Sequence, residues 1–250
     1  MTAPARWRLT LATDAAPTFA VGQFFLAHIA DPAAAYLRRA VFPTPAADPA
    51  ALHLSFTAAD LTDPGNGWLV SRQAGETVNL LGPLGRGFSP PDAARNILLA
   101  GDATRPALPL ALANLTARRG KNVTLALRLP AKRYTPRAEL HPAVELLLVT
   151  DDGSGGYRGD FFRRLAPLIP WADWLAAVGN RAFYRSLKST IAENQVLPID
   201  GYAQILLSDA PLHICGTGAC GYCAVQTAHG TKLACVDGAV FDLAEVLLDD

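Results

Sequence analysis

The sequence predicts a multi-domain β plus α/β protein: an antiparallel β-barrel over residues 1–93, a parallel-sheet α/β domain over 94–200, and a small cysteine-bearing domain over 201–250. Three observations lead there. Up to about residue 93 the chain runs in short apolar stretches broken by turn residues. From residue 94 strand-like and helix-like stretches alternate. All four cysteines lie between Cys215 and Cys235.

In the first segment, "RWRLTLATDA", "GQFFLAHIA", "ALHLSFTAAD", "GWLVSRQ" and "ETVNLLGPLG" each predict a strand. Their regular spacing, with several Pro and Gly breaks between them, favours a small antiparallel barrel. In the second segment "NILLAG", "NVTLALRL" and "VELLLVTDD" predict buried strands. "ALPLALANLTARRG" has helical spacing and a glycine stop, and "RGDFFRRLAPLI" and "NRAFYRSLKSTIAEN" predict further helices. Such alternation makes a parallel sheet flanked by helices. The tail stretch "YCAVQTAHGTKLACVDG" predicts a hairpin turning at His229-Gly230.

Composition narrows the function classes. Half of the 250 residues are hydrophobic, 18% are charged, and 22 basic residues balance 22 acidic ones. A disordered chain is excluded, and the basic footprint of a nucleic-acid binder is missing. No apolar run approaches the ~20 residues of a membrane span, and the N-terminal stretch lacks the apolar core of a signal peptide. The expectation is a cytoplasmic protein, where clustered cysteines serve metals more often than disulfides.

The cysteine spacing is C-x4-C-x2-C-x11-C, formed by Cys215, Cys220, Cys223 and Cys235. Three thiolates on one loop with a distant fourth is the plant-type 2Fe-2S ligand pattern. Gly216, Gly218 and Gly221 let the loop backbone pass close to the cluster's sulfides. A structural zinc site would instead use two tight C-x2-4-C pairs on separate knuckles. A disulfide pair is the third alternative. Five histidines, at 28, 53, 141, 213 and 229, show no paired ligand spacing, although His213 stands close enough in sequence to hydrogen-bond the cluster.

Beyond the cysteines, four stretches resemble one known family. The cluster loop followed by "CVDGAVF", the run "LLGPLGRGF", the segment "VTDDGSGGYRG" and the early "GQFFLAHIADPAAAYLRRA" are similar to the electron-transfer subunit of the NAD-linked, heteromeric dihydroorotate dehydrogenase. That family is ferredoxin reductase-like. It joins a flavin-binding β-barrel, a nucleotide-binding α/β domain and a C-terminal 2Fe-2S domain in this order. The resemblance implies FAD and a 2Fe-2S cluster as cofactors, a link to NAD(H), a role in pyrimidine biosynthesis, and a catalytic dihydroorotate dehydrogenase-like subunit as partner in a hetero-oligomer.

By the same resemblance, Arg39, Val41 and Phe42 hold the place of the flavin motif Arg-Pro-x-Ser, and Gly65, Gly67 and Trp68 that of Gly-x-Gly-Thr. Gly82 and Gly85 belong to the junction that frames the flavin. Two hydroxyls of the motifs are gone, each worth about 0.5–1.5 kcal/mol net. Nanomolar binding rests on roughly 12 kcal/mol, so weaker flavin binding is expected rather than none. Phe42 and Trp68 either stack on the cofactor or plug an emptied groove.

The nicotinamide side departs further. The loop "AGDATRPALPL" carries Asp102 and Pro106 where the family has a glycine-rich phosphate cradle, and Val178-Gly179-Asn180 lacks the family's cysteine. A carboxylate ~4 Å from a phosphate charge costs about 4 kcal/mol at an effective dielectric of 20. NAD(H) binding is therefore expected to be weakened or absent. Asp151 and Asp152 serve either a ribose hydroxyl or their own turn.

The leading expectation is an oxidoreductase electron-transfer subunit. Its rival is a non-catalytic iron-sulfur assembly or one-electron relay subunit that has lost nucleotide binding.

Overall fold

The structure is a computed structural model that describes residues 6–14, 16–30, 37–132, 140–194, 201–209 and 215–248. His213 lies outside the described residues. The three expected segments are distributed over two compact units. One comprises Met1–Phe88, Ser208–Gln226 and Gly230–Val240; the other comprises Ser89–Leu207, Thr227–His229 and Phe241–Asp250.

The first unit carries the barrel strands β1 (Arg6–Ala12), β2 (Phe24–Ala27), β3 (Arg39–Val41), β4 (Thr44–Pro45), β5 (Ala51–Thr57) and β6 (Leu80–Leu84). They form two three-stranded sheets, ordered β1-β5-β4 and β3-β2-β6, with antiparallel neighbours. The period of two explains the packing. Along β5, Leu52, Leu54 and Phe56 point into a core shared with Phe25, Ala27, Ile29, Val41 and Leu69, while His53, Ser55 and Thr57 point away. Strand β2 breaks this alternation, because all four of its residues are buried. A barrel strand buried on both faces needs something on its outer side.

One sequence expectation fails here. "GWLVSRQ" is no strand; α1 (Pro64–Val70) runs through Trp68, Leu69 and Val70. Asp63 caps it, accepting from the amides of Gly65 and Asn66, and Pro64 stands where a missing N–H costs nothing. The cap and the proline override the strand preference of Trp and Val.

The second unit holds β7 (Asn96–Gly101), α2 (Ala107–Arg118), β8 (Asn122–Leu129), β9 (Val144–Thr150), β10 (Tyr157–Arg158), α3 (Phe161–Leu165), β11 (Trp174–Val178), α4 (Arg181–Asn194) and β12 (Ala203–Leu206). The tail supplies β13 (Ala224–Thr227), β14 (Gly230–Leu233), the short α5 (Ala234–Asp237) and β15 (Val240–Asp242). A seven-stranded sheet runs β10-β9-β8-β7-β11-β12-β15, and its pairs from β10 to β12 are parallel. The central strands β7 and β11 are almost wholly buried, as parallel strands covered on both faces must be. The chain leaves β7 towards β8 on one side and returns beside it as β11, so the strand order reverses between β7 and β11.

The hairpin β13-β14 forms as expected, with its turn at Ala228-His229, one residue early. No helix among the described residues is long and apolar enough to cross a membrane.

Candidate iron-sulfur and nucleotide sites

The outer cover of β2 is the cysteine loop. At Gly216, a Cβ would fall 2.8 Å from a Leu84 methyl and 3.1 Å from a Leu26 methyl. Gly216 has φ +72°, a left-handed conformation that glycine adopts without cost. The loop thus lies directly on β2 and β6, and fully burying a leucine such as Leu26 contributes about 1.5–3 kcal/mol.

The junction after β6 grips the other end of the tail. A Cβ on Gly85 would stand 1.9 Å from the Gly238 carbonyl oxygen, and φ there is +68°. The Arg86 amide donates to that same Gly238 carbonyl, and the Val240 amide donates to Arg86 O at 3.3 Å. Gln23 Nε2 donates to Gly85 O at 2.8 Å and fixes the turn from the barrel side. Gly82, by contrast, is shaped by the ring of Phe25, 2.7 Å from where its Cβ would be.

The four thiols meet as two pairs. Cys223 Sγ lies 3.2 Å from Cys235 Sγ, and both residues are buried. Cys215 accepts from the amides of Thr217 and Cys220 and from the Cys220 thiol. Those donors pull the Cys215 thiol down to about 6. Burial, then the neighbouring Cys223, push Cys235 up to about 12, and the Cys215 charge adds to that push. The amides of Gly218 and Cys235 also reach sulfur, on Cys235 and Cys223 respectively.

Among the described residues no three His, Cys, Asp or Glu side chains converge on a single ion position. A mononuclear zinc needs its four sulfurs ~2.3 Å from one point. A two-iron cluster takes one pair of thiolates on each iron, and this donor set, all sulfur and arranged two by two, fits that group. N–H groups aimed at the thiolates are the usual means of raising a cluster's potential. Cys220 is exposed, and Tyr222 and Val236 beside the ligands in sequence are each about half exposed.

Around the expected flavin motifs the picture is mixed. Arg39 donates through Nε to both Asp63 oxygens, at 2.8 and 2.9 Å, and through Nη1 to Leu37 O at 2.7 Å. Two of its five N–H groups are used in these bonds, which leaves Nη hydrogens for a phosphate acceptor. For Asp63, burial pushes the pKa up, but the Arg39 hydrogen bond, the Gly65 amide and the Arg39 charge together hold it below the usual carboxylate value. Gly65 is small because Arg39 crosses it: a Cβ would meet Arg39 Cγ and Nε at 2.9 Å. Gly67 has open space, with nothing within 4 Å of its missing Cβ.

The two aromatic substitutions face inward. Phe42 is buried against Phe24, ring centroids 5.9 Å apart, and Val41 joins the barrel core. Trp68 packs on that core with the Arg72 guanidinium 4.1 Å above its ring. Of the two sequence alternatives for these rings, the geometry is that of groove-filling. Sequence reasoning missed Asp63, although Asp-Pro before a helix is a readable cap signal.

At the sheet's reversal point, Asp102 follows β7 and Asn180 follows β11. The Asp102 carboxylate accepts from the Thr104 amide at 2.7 Å and from the Asn180 amide at 3.3 Å. Farther out, Asp152 accepts from the Ser154 amide at 2.9 Å and Asp151 pairs with Arg128 at 3.3 Å. The Asp152 contact stabilises its own turn, and the Asp151 pair ties that turn to β8.

Residues 213–247 match the iron-sulfur cluster binding domain of dihydroorotate dehydrogenase B. The chain is 34% identical over 198 residues to the dihydroorotate dehydrogenase B (NAD(+)) electron transfer subunit of Geobacillus thermodenitrificans, covering 74% of this chain and 70% of that protein. The chain belongs to this electron transfer subunit family. The Streptococcus pneumoniae subunit is 26% identical over 254 residues, 98% of this chain and 96% of its own. The match to the Thermotoga maritima homolog, at 31% identity, spans 72% of this chain and 62% of that protein. Among solved structures, the NADH-dependent reduced ferredoxin-NADP oxidoreductase superposes with a TM-score of 0.80 at 23% identity, covering 98% of this chain and 86% of that one. The ferredoxin reductase-like fold is thereby established.

Proposed function

We propose that this chain is the electron-transfer subunit of a dihydroorotate dehydrogenase-like oxidoreductase of pyrimidine biosynthesis, working in the cytoplasm in a hetero-oligomer with a catalytic subunit. One observation carries the proposal: the paired thiols sit on a loop pressed against β2 and β6, in the same compact unit as Arg39 and the Gly65–Gly85 segment. A bound 2Fe-2S cluster and FAD supply the one- and two-electron chemistry.

What the chain itself does is hold and tune. Cys215 and Cys220 form one ligand pair, Cys223 and Cys235 the other. The amides of Thr217, Gly218 and Cys235 stabilise negative charge on sulfur. Arg39 would meet a flavin phosphate with its remaining N–H groups, while Asp63 holds Nε and fixes the plane of the guanidinium. Gly67 leaves room for that phosphate, and Phe42 and Trp68 keep water out of the barrel beneath it. The exposed Cys220, Tyr222 and Val236 offer the partner an approach to the cluster.

The test is anaerobic mixing with a purified dihydroorotate dehydrogenase catalytic subunit and dihydroorotate. Bleaching of the visible cluster absorbance, dependent on both additions, is expected. Stable absorbance in a mixture shown by gel filtration to hold a complex would overturn the assignment. A relay that lacks FAD is favoured by one feature, the occupation of the first α1 amides by Asp63, and flavin release on denaturation decides between the two.

A further inference from the structure

At the β7–β11 reversal point the backbone amides of Asp102, Thr104, Gly179 and Asn180 are taken by the chain itself. In open α/β sheets this crevice, outside the strand ends, receives a dinucleotide, whose pyrophosphate rests on loop amides and a helix N-terminus. Here the Asp102 amide donates to Val178 O at 3.2 Å, tying the end of β7 to the end of β11. Its carboxylate accepts from Thr104 and Asn180, one amide from each loop. The Gly179 amide donates to the buried Tyr184 hydroxyl at 2.8 Å, which in turn donates to Leu206 O. Asn180 Oδ1 accepts from the Phe183 amide at 2.8 Å.

The helix that should face the phosphates is also short of donors. Pro106 precedes α2 and Pro109 lies in its first turn, so two N–H groups are missing, and the Leu108 amide donates to Arg105 O. Even the glycines there serve packing, Gly101 at the end of β7 and Gly179 just after β11. A Cβ on Gly179 would stand 2.8 Å from the Phe183 ring, and one on Gly101 3.1 Å from Pro109 Cγ. Neither is small in order to admit a ligand.

We infer that Asp102 acts as a built-in stand-in for pyrophosphate: it staples the two loops together and closes the crevice to nicotinamide dinucleotides. The family's nicotinamide group does not fit this crevice. The inference rests on the α/β unit alone and holds whether or not flavin occupies the other unit. Its consequence for the electron-transfer reading is that reducing equivalents are exchanged with protein partners, and NADH is not a direct donor.

Anaerobically purified full-length protein is titrated calorimetrically with NADH, NADPH and ADP-ribose, alongside Asp102→Asn and Asp102→Gly. Asp102→Asn keeps an acceptor for one amide and removes the charge that repels phosphate, leaving the Arg105 cation in the same loop. The wild type is expected to show no heat of binding up to millimolar ligand. The variants should bind at least one of the three ligands, tighter by on the order of tenfold or more. Micromolar binding of any of the three by the wild type overturns the inference. So does an Asp102→Asn protein with native melting and cluster absorbance that gains nothing. Should both variants unfold, amide exchange in the wild type decides. Thr104 and Asn180 are expected to be protected without ligand and unchanged by NADH, whereas slowing by NADH would overturn the closure.

Discussion

The cysteine loop and the β7–β11 crevice use one device towards opposite ends. Each gathers backbone N–H groups around negative charge. In the loop, amides of Thr217, Gly218, Cys220 and Cys235 point at thiol sulfurs, and those sulfurs keep their capacity to bind metal. In the crevice, amides of Thr104 and Asn180 point at Asp102, a carboxylate that belongs to the chain and needs no ligand. Preorganised donors thus imply a bound group only when the acceptor they face can itself hold one. The cluster site is open in that sense and the crevice is self-satisfied.

The largest expected effect breaks the open half of this contrast. Cys223→Ser or Cys235→Ser removes a buried ligand from the Cys223–Cys235 pair, and iron and acid-labile sulfide should fall to background. Retention of both would dissociate that pair from the metal.

Next comes the seat of the loop. Gly85→Ala places a methyl against the Gly238 carbonyl at a left-handed φ and should cost roughly 3 kcal/mol or more in denaturant unfolding. Gly67→Ala, in open space within α1, should instead stabilise by about 0.5–1 kcal/mol while weakening flavin binding. If the two glycines respond alike, the docking role of the Gly82–Phe88 junction is wrong.

A smaller effect sharpens the comparison at a third anionic site, Asp63. Its folded pKa lies below its unfolded value, so its contribution is fully present above about 4 and is lost as pH falls through the lowered folded value. Asp63→Asn should remove that acid-side loss in urea titrations and cost about 1 kcal/mol or less at neutral pH. An unchanged pH profile would detach the Arg39 pair from stability. The last contrast is a reactivity difference in iron-free protein. Cys215 should alkylate with a midpoint near pH 6, while Cys235, pushed up to about 12, stays inert at pH 8.

How much of this was legible without coordinates follows from locality. The proposed 2Fe-2S ligands were readable because three of them share one loop, and spacing within a loop survives in sequence. The parallel strands were readable because Leu98, Leu99 and Ala100 are buried on both faces and leave a continuous apolar run. Trp68 misled, since a capped helix and an apolar strand look alike over seven residues, and Asp63-Pro64 was the overlooked cue. Asp102 was legible as a misplaced charge but not as a staple, because its partner Asn180 lies 78 residues away. The seating of Gly216 on Leu26 and Leu84 had a trace in the unbroken apolar run of β2, whose meaning depends on knowing what covers it.

Metal analysis of anaerobically purified protein, paired with low-temperature paramagnetic resonance after dithionite reduction, tests the cluster assignment most directly. Two irons and two labile sulfides per chain with a one-electron signal are predicted. One zinc per chain, with no labile sulfide and no signal, would contradict it.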